Sequence, residues 1–277
     1  MPRKAETELA NVALRELFFG GGRPILLEQS GQFYRWNGRV YLRADRTALL
    51  KEIRSWLALM KMKGKVSETG ILHELKFLPG VHIPDHWSAP FLLPANKPDL
   101  DERDDPSSAE NLIALQNVIF DLDLWMDGRD PARPHSPELF TTASLPYDYI
   151  DNPKCDRFED ALGQWLLNDE EQIEIAWRWM GLCCTWYARY KKLLLCVGPK
   201  DTGKSAFTGC LRLLVGQHNC AAMPLSGFGS QFQEAALIGK LLNISSEVKF
   251  VQEAAEERLK LLTSGGADSS LFSAQCR

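Results

Sequence analysis

The chain has no Cys-x-x-Cys pair, and none of its seven cysteines has a histidine at zinc-site spacing. A structural zinc site is therefore not expected, and free thiols buried in a reducing compartment are the reading for Cys155, Cys183, Cys184, Cys196, Cys210, Cys220 and Cys276. No apolar run approaches the roughly 18 residues needed to cross a bilayer. The opening stretch MPRKAETELANVALRELFF scatters charge where a signal peptide would carry an uninterrupted apolar core. These two absences lead us to expect a cytoplasmic protein without a membrane partner. Nor is there a strong excess of one charge, the formal net being −4 over 277 residues. An apolar share of 45% with 25% charged residues is ordinary globular composition, and the length suggests about two domains.

The most specific feature present is GPKDTGKS, residues Gly198, Pro199, Lys200, Asp201, Thr202, Gly203, Lys204 and Ser205, which fits G-x-x-x-x-G-K-[ST]. Leu193 to Val197 before it reads as a strand. Ala206 to Val215 after it reads as a helix, with Phe207, Leu211, Leu214 and Val215 at helical spacing. Strand, glycine-rich loop and helix are the context that a phosphate-binding loop requires. The glycines let successive N–H groups turn inward toward α- and β-phosphates, at the positive end of the following helix. Lys204 would reach the β/γ-phosphate oxygens, and the Ser205 hydroxyl would ligate Mg²⁺. Chance would produce this pattern about once in a hundred chains of this length, so ATP and Mg²⁺ are the expected ligands.

A second element should be an acid ending another strand. KLLNISSEV, residues 240–248, supplies Glu247 after an apolar run. Glu247 could orient the attacking water or hold Mg²⁺ through water.

The modest net charge hides an asymmetry. Residues 1–65 carry +7 and residues 66–277 carry −11. A basic first module suits a nucleic-acid contact, for which Arg35, Arg39 and Arg43 are candidates, and it is equally compatible with a solvated face. Its pattern predicts a helix over 6–19 and short strands in PILLEQ, QFYRW and RVYLRA, turned at Ser30-Gly31 and Asn37-Gly38. A second helix over 46–60, capped by Asp45, follows. The expected divisions are an α+β module over 1–78, a Pro-rich acidic linker or extended arm over 79–106, a strand followed by helices over 107–190, and the loop-bearing core over 191–277. His82 and His86 lie four apart within the Pro-rich stretch, without the helical context that would make them metal ligands. Tyr187, Arg189 and Tyr190 could border the nucleotide.

VIFDLD, residues 118–123, places Asp121 and Asp123 two apart on a strand, as a metal-binding carboxylate pair would require. A phosphatase would want Gly-Thr next, where Leu124-Trp125 stands. A primase would want a later S-x-H and a third strand carboxylate. A strand ending in a polar turn is the favoured reading.

From about Asn111 to Gly266 the residues resemble the phage and plasmid primase–helicases, poxvirus-type and satellite-phage-type, whose motor is a superfamily 3 helicase. The resemblance rests on NVIFDLD…HSPELFTTASLPYDYI, FEDALGQWL, GPKDTGKS, FQEAALIGKLLNISSEV and LKLLTSGG. It implies an AAA+-like P-loop NTPase core, incomplete here, behind an α+β and helical region. It also implies that Lys204 and Ser205 are the Walker A pair, that Glu247 is the Walker B acid, and that Lys260 leads toward a DNA-contacting hairpin. The implied activity is ATP hydrolysis coupled to unwinding of single-stranded or forked DNA by a homo-oligomeric ring, a hexamer in the family, in phage or plasmid replication within the host cytoplasm. GGADSSLFSAQCR departs from the family's Gly-Asp/Glu-x-Ile continuation, so a motor without its sensor Asn and arginine finger is the expectation. Two rivals are an ATP- and DNA-binding module without turnover and, more weakly, a small-molecule kinase.

Overall fold

The computed structural model describes residues 2–62, 65–94, 106–187, 192–227 and 235–245. It is a mixed α/β chain of small sheets and helices that divides into two compact units. The first unit comprises residues 1–109 with 135–142, and the second residues 110–134 with 143–277. Among the described residues no helix is long and apolar enough to cross a membrane.

In the first unit, α1 (Pro2–Leu17) buries Ala10, Ala13 and Leu14 and hands on to Phe18, which is fully buried. The strands β1 (Phe19–Gly20) and β2 (Arg23–Pro24) pair across Gly21 and Gly22, both at positive φ. That two-residue turn is open only to residues tolerant of the left-handed region. As the turn signals predict, β3 (Leu26–Gln29), β4 (Gln32–Trp36) and β5 (Tyr41–Arg43) form an antiparallel meander. The side chain of Asn37 accepts from the backbone N–H groups of Arg39 and Val40, fixing the second turn. Asp45 caps α2 (Arg46–Leu59) by accepting from Ala48 N at 3.0 Å. The helix α3 (Glu68–Leu75), capped by Ser67, was not expected; eight residues carry too short a periodicity to stand out. These helices close one core around Leu49, Ile53, Leu57, Ile71 and Leu75.

The stretch expected as a linker is, over 79–94, part of this unit's core. Glu28 N donates to Val81 O and Ile83 N to Glu28 O, both at 2.8 Å, so the arm runs beside β3. Ile83, Trp87, Phe91 and Leu93 then pack with Leu27, Tyr41 and Phe140. Proline removes a donor but does not forbid burial. Here Gln29 Nε2 donates to the carbonyls of Pro84 and Trp87, leaving both satisfied. The short strands β6 (Phe91–Leu92) and β7 (Ser107–Ser108) pair with each other, and β6 also pairs with the later β11 (Leu139–Phe140). The first unit thus extends beyond residue 78 and takes in a returning segment.

In the second unit, the single strand expected over 111–123 is a hairpin of β8 (Leu112–Ala114) and β9 (Ile119–Asp121). It turns at Gln116-Asn117 without glycine or proline. After α4 (Leu122–Met126), β10 (Ala132–Arg133) adds to the other edge of β9. The helices α5 (Asp156–Trp165), α6 (Glu170–Cys183) and α7 (Lys204–Val215) share one core through Leu162, Ala176, Met180, Phe207, Leu211 and Val215. The regions expected as two domains over 107–190 and 191–277 therefore fold about common apolar contacts. The strands β12 (Cys220–Ala221) and β13 (Leu242–Asn243) form a parallel pair.

The strand expected over 193–197 is not formed. Leu193, Leu195 and Val197 are 61%, 61% and 83% exposed, and no described strand pairs with them. Alternation of apolar residues makes a strand only where a neighbour completes the ladder.

Candidate functional site

The loop 198–205 delivers its last glycine to the N-terminus of α7. Gly203 is the N-cap at φ +88°, a left-handed conformation that glycine adopts without a Cβ clash. No side chain caps this helix, and Phe207 N is the first amide to close an intrahelical bond, to Gly203 O at 2.8 Å. The amides of Lys204, Ser205 and Ala206 thus stand at the positive end of a 12-residue helix without an intrahelical acceptor. Asp201 is also at positive φ, +62°, and Thr202 Oγ1 donates to Pro199 O at 3.0 Å, so the loop is a closed, tight turn.

Lys204 is folded back onto this loop. Its ammonium donates to Gly198 O at 2.9 Å, to Pro199 O and, at 3.3 Å, to Thr202 Oγ1. Ser205 is exposed and Lys200 and Asp201 face solvent. Burial raises the Cys196 thiol above its ordinary range, while the nearby Lys204 ammonium acts in the opposite direction. Of the other cysteines, Cys183 is buried and pushed up to about 12 by that burial, whereas Cys155 and Cys196 are exposed, against the expectation that most would be buried.

One neighbour of the loop was not legible in the sequence. The indole of Trp165, the last residue of α5, lies against Gly203 so closely that a Cβ there would overlap its ring. Gly203 is thus required twice, by its backbone conformation and by the aromatic ring seated on it. Elsewhere in the unit, Asn243 exchanges two hydrogen bonds with the backbone of Met223, at 2.8 and 3.0 Å, holding the segment after β12 against β13. Buried Asn219 donates to Ser144 O and Val215 O and ties the end of α7.

Glu247 and Lys260 lie outside the described residues, as do Arg189 and Tyr190. Tyr187 N donates to Thr185 Oγ1 at 3.3 Å, a contact within its own turn.

Asp121 has a structural role. It is 2% exposed; Oδ1 accepts from the amides of Asp123 and Leu124 as the N-cap of α4, and Oδ2 pairs with Arg133. Asp123 accepts from Asn111 Nδ2 at 2.5 Å. Among the described residues no group of three His, Cys, Asp or Glu side chains is placed to hold a metal. Asp121→Ala should therefore lower stability by about 2–3 kcal/mol, from the lost cap and the broken buried pair. Neither that variant nor the wild type should polymerise nucleotides on a template or hydrolyse a phosphomonoester. Polymerisation by the wild type that disappears in Asp121→Ala would show the pair to be catalytic.

The candidate nucleic-acid contacts divide. Arg35 is held by Glu52 in a two-pronged ion pair at 2.6 and 3.1 Å, with its guanidinium 5.3 Å from the Phe18 ring centre, so it serves the fold. Arg43 Nε donates to Gln32 Oε1, and Arg39 is exposed. His82 pairs with Glu28 at 2.8 Å and is not part of a metal site.

With this geometry in place, residues 196–271 match the profile of a family of unknown function (DUF5906), a stretch that takes in the loop, α7 and β13. No curated protein matches the chain.

Proposed function

We propose that the chain binds Mg-ATP through residues 198–205 and acts as an ATP-dependent DNA helicase of phage or plasmid replication, with the P-loop core of the primase–helicases it resembles. One observation carries the nucleotide assignment: the loop ends in left-handed Gly203 and presents uncapped amides at the head of α7. That arrangement suits a phosphate chain, since it supplies N–H donors and a helix dipole of the right sign. The residues also fit Mg²⁺, which would offset phosphate charge beside the exposed Ser205 hydroxyl. Lys204 would exchange its loop carbonyls for phosphate oxygens. Glu247 would align and deprotonate the attacking water.

A second reading, ATP binding without turnover, is favoured by the ammonium of Lys204 lying on its own loop rather than open to a ligand. Phosphate release with and without single-stranded DNA separates the two. In the motor reading, Glu247→Gln retains nucleotide binding and loses release by about 10²- to 10⁴-fold. Binding of Mg-ATP with no release from the wild type, alone or on DNA, would establish the second reading.

A further inference from the structure

On the first unit, away from the phosphate-binding loop, a pocket of about 90 Å³ lies between β3 and β4, the start of α2 and the end of α3. Arg46, His73 and Lys76 are the positively charged or protonatable side chains that line it, and Phe33 and Leu72 are among its apolar residues. Its one carboxylate, Glu28, is already held on both oxygens, by Gly31 N at 2.6 Å and by His82 Nδ1 at 2.8 Å. The other carboxylate nearby is Glu74, 3.5 Å from His73 Nδ1, which also accepts from Thr7 Oγ1 at 2.8 Å.

The cations here differ from others on the unit. Arg35 and Arg54 are paired with Glu52 and Glu68. Among the described residues, Arg46 and Lys76 are in no ion pair. Beside them Phe77 is 65% exposed, an unusual position for a large apolar ring. The Lys76 ammonium sits 4.7 Å from its centre and the His73 ring 5.1 Å away. A phosphate-sized anionic pocket beside an exposed aromatic flanked by cations is the combination that binds an unpaired nucleotide: charge for the backbone, a ring face for the base.

We infer that Arg46, Lys76 and Phe77 form a contact for single-stranded nucleic acid, with a backbone phosphate entering the pocket and a base stacking on Phe77. The +7 charge of residues 1–65 is the wider field into which such a strand would be drawn. A duplex is disfavoured because its bases have no free face to offer Phe77. This contact rests on the DNA partner proposed above and assigns it to a surface in the first unit.

The test is anisotropy of a fluorescein-labelled 20-nucleotide oligo-dT with the full chain, over a series of KCl concentrations and without nucleotide. Arg46→Gln/Lys76→Gln should weaken binding at least tenfold and make the plot of log affinity against log salt shallower by about 1.4, for two lost phosphate contacts. Phe77→Ala should weaken it roughly five- to hundredfold with little change in slope, and Phe77→Trp should restore it. All three side chains are at the surface, and matched melting curves would confirm that the variants fold. Oligo-dT binding that is unchanged in the double variant would overturn this surface and leave the DNA-helicase reading standing. A wild type that binds no oligo-dT would overturn the surface and the DNA partner together, while Mg-ATP binding remained a separate measurement. Preference for duplex with Phe77→Ala neutral would also overturn it.

Discussion

Mg-ATP should bind the Lys204→Ala chain between about ten and a hundred times more weakly than the wild type, the range expected when a charge-assisted hydrogen bond to a phosphate is removed. The ammonium touches two carbonyls and a hydroxyl of its own loop, so the cost of reorganising it before it meets a ligand is already contained in the wild-type affinity. Lys204→Ala also relieves those carbonyls of their donor. Because Gly198 and Pro199 are exposed, water can replace it, and the fold should lose little. Affinity and stability should therefore separate: a large fall in binding by calorimetry with a melting curve close to that of the wild type. Lys204→Arg should recover charge without the point geometry of an ammonium and land between the two. Equal affinity in the wild type and Lys204→Ala would remove the phosphate assignment altogether.

Much of the first unit was legible because its determinants are local. Ser30-Gly31 and Asn37-Gly38 specify turns, Asp45 specifies a cap, and the stripe through Ala13 and Leu14 specifies the buried face of α1. The Pro-rich arm was misread because its burial is decided far along the chain, where Phe140 comes back to stack on Phe91 at 4.8 Å. The hairpin at residues 112–121 was misread for the opposite reason, since its turn carries none of the residues that announce one. Leu193 to Val197 has the composition of a strand but lacks a described partner, and pairing is not a property of one segment. At the candidate site the same distinction holds. Gly203 and Lys204 act through a loop eight residues long and could be named from the sequence. The seating of Trp165 on Gly203 depends on how α5 and α7 meet. Likewise the charge of Arg35 was visible in the sequence, whereas its capture by Glu52 was not.

The Trp165–Gly203 contact leads to the second large expected effect. Gly203→Ala must place a methyl at φ +88° and against the indole. The first costs about 1–2 kcal/mol for a residue with a Cβ. The second, an overpacked contact, adds about 1–3 kcal/mol unless the ring moves. The two contributions can be parted by a double-mutant cycle. In a Trp165→Ala background the steric part vanishes and the backbone part remains, so Gly203→Ala should be clearly less damaging there than in the wild type. Because the chain has two compact units, one global melting temperature is a blunt measure. Hydrogen exchange of the α7 amides reads the affected element directly. Nucleotide affinity should follow, since the amides of Lys204, Ser205 and Ala206 are aimed by the turn that Gly203 completes. If Gly203→Ala costs the same with and without the indole, Trp165 does not brace the loop, and the glycine is required by its backbone angle alone.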